Sequence, residues 1–389
     1  MTLEGTFLDH FSELKDSRLQ THNNFRHNLG DILIITILAT ICGADGWKEI
    51  IEFAQAKESW LKTFLRLPHG IPSHDTFERV FALLNPVHFE ACFNRWIASL
   101  TIDLKKEIIA LDGKTLRGSG NKRQSLPALH LVSAWATKNR LMLAQIKTLA
   151  KSNEITAIPE LLEIMNIAGS IITIDAMGCQ TAIAKQIIRQ GADYVLSLKE
   201  NQPTLYRAVG AIFARAEEGE KKYKNMLHLR RVEKIHNHGR IETRRYTLIS
   251  ARDPLLFELG WPGLKGIGKV EITRTTANKV EYSTRYFLTS LDYEKIDEFK
   301  EAVRKHWEIE VDLHWSLDVG FREDWNQTYK GHAAHNLAIV RRIALNLLKQ
   351  EKSHQRGIAC RRKRSGWDHA YLLKVLTADQ HFRTQQTSQ

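Results

Sequence analysis

The sequence predicts an α/β protein in which a small helical domain precedes a strand-and-helix domain carrying a β-rich insertion. Three observations carry that expectation. Over residues 1–100 apolar side chains recur at spacings of three and four, the period of a helix packed on one face. From residue 107 short apolar runs alternate with helical stretches, as they do in an α/β unit. Residues 221–292 then favour strands, with few helix signals.

In chain order, ILIITILATIC (32–42) reads as a buried helix with Asp31 as its expected N-cap. It is too short for a bilayer core, which needs about 20 residues. Trp47, Ile50, Ile51, Phe53, Trp60 and Phe64 continue the helical spacing. Ser73 is the expected cap of a helix whose apolar stripe is Phe77, Val80, Phe81 and Leu84. The run EIIALDG (107–113) and the segments 126–137 and 140–150 read as strands, the last two joined by Lys138-Asn139. A helix is expected over 153–165. Strands over 170–176 and 192–199 are each followed by a helix, over 177–190 and from residue 203. Within the insertion, 244–250, 268–276 and 280–290 favour strands. Long helices over 295–318 and 333–350 close the domain. Three units are thus expected: 1–100, 101–350 with its insertion, and a basic tail, 351–389.

The chain has 389 residues and a formal net charge of +12, with 43% apolar and 26% charged residues, which excludes a disordered acidic tail or a disulfide-stapled mini-protein. The excess charge is concentrated. Residues 221–245 net +7 and residues 341–364 net +8, leaving the remainder at −3. Two such patches point to a polyanion as partner. The four cysteines form no CxxC pair, so reduced, mostly buried thiols are expected rather than a zinc ribbon. The opening MTLEGTFLDHF lacks the layout of a signal peptide, so a soluble, cytoplasmic protein without a membrane partner is expected.

Asp112 and Asp175 are each the first charge after an apolar run, Ile108–Leu111 and Ile171–Ile174. Sites in α/β sheets lie beyond such strand ends. An aspartate there equally closes a strand and caps a turn. On a helical projection of 303–317, Val303, Trp307, Glu310, Leu313, His314 and Leu317 share one stripe, expected to be buried. Glu308 and Asp312 fall on the solvated side, where Arg304 is set to pair with Glu308. A buried carboxylate needs a cation, a metal or a role, or else a histidine partner such as His306 or His314. Trp307 and Trp315 read as core. Three carboxylates without a cysteine suit Mg²⁺ or Mn²⁺ rather than zinc, and paired divalent ions are what phosphoryl transfer uses.

Long strings then occur in a recognisable order. They include LGDILIITILATICGADGW (29–47), GIPSHDTFERVFALL (70–84), ALDGKTLRGS (110–119), KSNEITAIPELL (151–162), TIDAMGCQ (173–180), GADYVLSLKENQ (191–202), HGRIETRR (238–245), HWEIEVDLHWSLDVGFRED (306–324) and GHAAHNLAIVRRIALNLL (331–348). Over nearly its whole length the chain resembles the DDE transposases of ISAs-type insertion sequences, a group that includes the H-repeat-associated proteins. The resemblance implies an RNase H-like catalytic domain with Asp112, Asp175 and Glu310 as its triad, holding Mg²⁺ or Mn²⁺. It implies double-stranded DNA, both element ends and target, as partner, cut and joined by a homodimer. Lys114, Arg117, Lys199, His306, His314 and the run Arg361, Arg362, Lys363 and Arg364 are candidate DNA contacts. The chain departs from the pattern at Val303 and His306, where the wider superfamily has Tyr and Arg. It departs again at Leu317, where a Lys is usual, and at Val311, where relatives carry Asn. A DNA-binding relative impaired in catalysis and a nuclease without strand transfer are the alternative readings.

Overall fold

The computed structural model describes residues 7–18, 26–100, 102–148, 154–218, 228–237, 240–252, 256, 260–277 and 279–378. Parts of the strings 151–162 and 238–245 and of the basic window 221–245 lie outside the described residues.

The helical region holds α1 (Leu29–Ile41), α2 (Trp47–Ala56), α3 (Glu58–Leu61), α4 (His74–Leu83) and α5 (Pro86–Ser99). Asn28, not Asp31, caps α1, its side chain accepting from the Gly30 amide at 2.6 Å. Asp31 sits in the first turn, where a carboxylate still complements the helix dipole. Ser73 precedes α4 as expected. No helix was expected at α5, although Asn85 caps it and Pro86 opens it, a standard start signal.

One nine-stranded sheet crosses the molecule. Its strands are β1 (Ile108–Leu116), β2 (Leu129–Ala136), β3 (Leu141–Thr148), β4 (Ile171–Ile174), β5 (Asp193–Leu198), β6 (His228–Asn237), β7 (Arg240–Ser250), β8 (Gly266–Thr275) and β9 (Val280–Thr289). The order is β3-β2-β1-β4-β5-β9-β8-β7-β6. β1, β2 and β3 form an antiparallel meander, and β4 and β5 run parallel to β1. Crossovers α6 (Glu154–Glu163) and α7 (Thr181–Arg189) feed the two parallel strands, and α8 (Pro203–Glu218) follows β5. The expected insertion continues the same sheet, because β9 pairs antiparallel with β5.

Two further helices complete the frame, α9 (Ile296–His306) and α10 (Ala333–Gln350). α10 is almost wholly buried, its polar residues Asn336, Arg341, Arg342, Asn346 and Lys349 included. Asn336 on α10 donates to the Phe81 and Leu84 carbonyls of the helical region, both at 2.8 Å. Asn346 brackets Met142 of β3, accepting from its amide at 2.9 Å and donating to its carbonyl at 3.0 Å. The helices and the sheet therefore share one apolar core.

The chain after α9 is not regular α-helix. Ile309–His314 and Ser316–Gly320 are π-helical, with hydrogen bonds to i+5 and so a slower angular advance per residue. That advance rotates the stripe projected at 3.6 residues per turn. Val303, Leu313 and Leu317 are buried as expected, together with Ile309, but Trp307, Glu310 and Trp315 are exposed. Arg304 pairs with Glu233 at 2.8 Å instead of Glu308, and Glu308 pairs with Lys305. Asp312 is engaged by Arg140 and Lys349 rather than solvated. The segment expected as a tail contains α11 (Ile358–Trp367) and α12 (His369–Leu376), both packed on the body. Among the described residues no helix is long and apolar enough to cross a membrane.

Candidate active site

Asp112 and Asp175 meet because of strand register. Leu111 of β1 pairs with Ile174 of β4 in a parallel ladder, so the next residue on each strand stands at the same level. Neighbouring strands are about 4.8 Å apart. The Asp175 carboxylate is fixed locally, accepting from the Met177 amide at 3.0 Å and the Gly178 amide at 3.4 Å. The two aspartates line a cleft of about 890 Å³, and the π-helical segment brings Glu310 into the same wall. All three acids proposed from the sequence therefore border one cavity.

Burial pushes the Asp112 carboxyl up to about 7, and the charges of Asp175, Glu154 and Glu310 add to the effect against the Gly113 hydrogen bond. Glu154 is an acid that sequence reasoning missed. It lies buried beneath β1, 2.7 Å from His130 Nε2, while His130 Nδ1 meets the Thr115 hydroxyl at 2.7 Å. Gly113 leaves room for that pair, since a Cβ there would stand 2.2 Å from a Glu154 carboxylate oxygen.

The two histidines are neutral at pH 7. Burial pushes His306 down to about 4, with Arg285 contributing and Asp175 opposing, and its Nδ1 lies 3.1 Å from the Thr173 hydroxyl. Burial, then Lys114 and Arg342, pushes His314 down to about 3. His314 Nδ1 lies 3.5 Å from Asp112 Oδ2, and its Nε2 is buried without a partner. Both, candidate DNA contacts from the sequence, stand beside the acids, His314 against Asp112 and His306 on the cleft wall.

The candidate cations divide. Lys199 is exposed on the cleft. The Arg117 side chain is 85% exposed, and its backbone amide donates to Asp324. Lys114 is buried and paired with Asp318 at 2.7 Å and Asp324 at 3.0 Å, so it ties β1 to the chain after Glu310. Arg362 is also interior. It donates to the carbonyls of Thr40, Ala44 and Gly320 and pairs with Asp45 at 2.8 Å. Arg361 donates to the Leu348 and Glu351 carbonyls, and Arg364 lies beside His354 and over Tyr371. Of the four, Lys363 is the exposed one. Consecutive residues on a helix are about 100° apart, so a run of four cations cannot all face solvent.

Arg285 of β9 is a second residue that the sequence reading missed. Its guanidinium lies 4.6 Å from the centre of the exposed Trp307 ring on the cleft wall. Val311, by contrast, lines a different cavity.

The donor set suits a hard divalent cation. Oxygen ligands predominate, and a buried carboxyl among like charges is stabilised by a positive ion. Among the described residues, however, no three His, Cys, Asp or Glu groups lie close enough to share one ion. Asp112 and Asp175 form the near pair, and Glu310 lines the same cleft.

Known proteins match this chain along most of its length. Residues 8–97 match the DDE_Tnp_1-associated family and residues 103–347 the transposase DDE domain family. An H repeat-associated candidate transposase of Escherichia coli strain K12, YhhI, is 38% identical over 374 residues, covering 95% of this chain and 97% of its own. A candidate transposase of E. coli O157:H7, YncI, is 38% identical over 380 residues, covering 96% and 95%. A piggyBac transposase synaptic complex with hairpin DNA aligns at 11% identity over 97% of this chain and 77% of its own, with a TM-score of 0.42, a likeness too slight to argue from. On the family matches and the two relatives, the chain belongs to the transposase DDE domain family.

Proposed function

We propose that this protein is the DNA transposase of an insertion sequence, an RNase H-like enzyme that cuts element-end DNA and joins the freed 3′ end to target DNA. The reading rests on one observation above all: Asp112, within β1, and Asp175, just past the end of β4, stand at one level on adjacent parallel strands, and Glu310 lines the same cleft. The order β3-β2-β1-β4-β5, a meander continued by two parallel strands, supports the RNase H-like assignment.

Asp112, Asp175 and Glu310 would hold Mg²⁺ or Mn²⁺. When bound, such ions neutralise phosphate charge and lower the pKa of a coordinated oxygen. The chain's own residues do the rest. The Met177 and Gly178 amides keep Asp175 aimed into the cleft. His314 stands against Asp112, and His306 contacts the Thr173 hydroxyl on the strand that leads to Asp175. Lys199 and Arg285 supply positive charge where the strand would pass. Lys114, through Asp318 and Asp324, fixes the Glu310 segment against β1. Residues 1–100, with help from 351–389, would recognise element ends, and a homodimer would pair two of them.

Asp112→Asn should lower Mg²⁺-dependent nicking of element-end DNA by roughly a thousandfold or more, the scale of several kcal/mol, with DNA binding retained. Nicking by the Asn variant at the parent rate would sink the assignment. Joined product alongside cleaved ends separates a transposase from a nuclease.

A further inference from the structure

The segment that carries Glu310 also lines a second cleft, of about 530 Å³, with the opposite electrostatic character. Its wall holds Arg140, Lys349, Lys352, Arg356 and Arg361 against a single carboxylate, Asp312. The acid cleft holds Asp112, Asp175, Glu200 and Glu310 against Lys199 and Arg285. Without bound cations the first repels phosphate and the second attracts it.

Asp312 is shared by Arg140 at 2.8 Å and Lys349 at 3.2 Å, which leaves the other cations uncompensated. Lys352 and Arg356 are exposed and have no acid within ion-pairing range among the described residues. Burial pushes the Lys349 ammonium down to about 8 against the pull of Asp312, with Arg140 and Arg361 adding smaller contributions.

Two large apolar side chains stand open to water in this charged wall, Trp315 at 58% exposure and Val311 at 64%. Exposed apolar surface rimmed by polar groups marks a binding surface. A tryptophan among cations is the pairing found where single nucleic-acid strands bind, because the ring stacks on a base while the cations track the phosphates. A duplex keeps its bases stacked on one another and offers the ring no face.

We infer that this cleft holds a single DNA strand, with its phosphates on Lys352 and Arg356 and an unpaired base on Trp315. The inference rests on the reading that the chain acts on DNA. It adds a second strand path, separated from the acids by the width of the π-helical segment. One short element would then touch the cut strand with Glu310 and its separated partner with Trp315.

The test uses the full chain and a labelled oligothymidylate of about 12 nucleotides, within the usual range for such grooves. Fluorescence anisotropy is followed over a salt series without divalent ions, in parallel with a duplex probe. Lys352→Gln combined with Arg356→Gln should weaken single-strand binding at least tenfold and flatten the log–log salt slope by about 1.4, from about 0.7 per lost phosphate contact. Trp315→Ala should weaken it about tenfold with the slope unchanged, and Trp315→Phe should restore most of the loss. Thermal melts confirm that each variant is folded. Parent-like binding by both the double variant and Trp315→Ala overturns the inference. So does a Trp315→Ala protein that binds the strand normally but loses a dimer in sedimentation, since a second copy would then cover the ring. A parent that binds duplex but no single strand defeats this inference alone. A parent that binds neither defeats the transposase reading with it.

Discussion

Asp112→Asn should make the metal-free protein more stable at alkaline pH while abolishing its activity. The Asp112 carboxyl is raised from 3.8 to about 7 in the folded chain. The folded state therefore holds this proton more tightly than the unfolded state does. Its stabilising effect is complete below pH 4 and is lost as pH rises through 7. A shift of about three units corresponds to about 4 kcal/mol at 1.36 kcal/mol per unit. The side chain is 23% exposed, so solvent screening reduces this to ~2 kcal/mol. An amide carries no charge to bury, so the Asn variant escapes the cost. Its melting temperature at pH 8 in chelator should exceed the parent's by about 2–3 °C, and the gap at pH 4.5 should be several-fold smaller. Adding Mg²⁺ or Mn²⁺ should raise the parent more than the variant and narrow the gap, because the ion binds the folded carboxylates. Scanning calorimetry at both pH values decides it. A variant no more stable than the parent at pH 8, or a gap independent of pH, refutes the assignment of Asp112 to a strained acidic cluster.

Three further outcomes follow from packing. Glu323→Gln strips the buried Arg342 of its counter-charge and should cost about 3–5 kcal/mol by urea unfolding; an unchanged midpoint would mean the pair is dispensable. Gly113→Ala drives a Cβ into the His130–Glu154 pair and should cost about 1–3 kcal/mol in thermal melts and displace Asp112, so that nicking falls as well. Gly331 has φ of +53°, and a Cβ there would lie 2.4 Å from the Ala82 carbonyl oxygen. Gly331→Ala should therefore loosen the α4–α10 junction and speed limited proteolysis there, at a cost of about 1–3 kcal/mol. Parent-like cleavage would show that the junction absorbs the methyl.

Local patterns were legible in the sequence and long-range pairings were not. α1, α4, α10 and the strands β1 to β5 announced themselves through period and punctuation. β6 did not, because HLRRVEKIHN buries its alternation in charge. That the insertion joins the main sheet depends on the pairing of β5 with β9, about ninety residues apart, which no local pattern encodes. The same holds for the register that sets Asp112 beside Asp175. Glu310 was singled out by a projection at 3.6 residues per turn, yet its segment is π-helical and its side chain exposed. The residue proved to line the cleft although the burial argument for it failed. Lys114 read as a free cation because its partner Asp324 lies 210 positions away. Arg285 and Glu154 gave no signal, being single charges inside ordinary strand and helix patterns.

The continuity of the sheet has a mechanical consequence. β9 is laced to β5 along Val195–Leu198, so the arm that bears Arg285 is no hinged flap but part of one stiff plate with the strands that carry the aspartates. Sideways load on that arm becomes shear along parallel rows of backbone hydrogen bonds, which yield together or not at all.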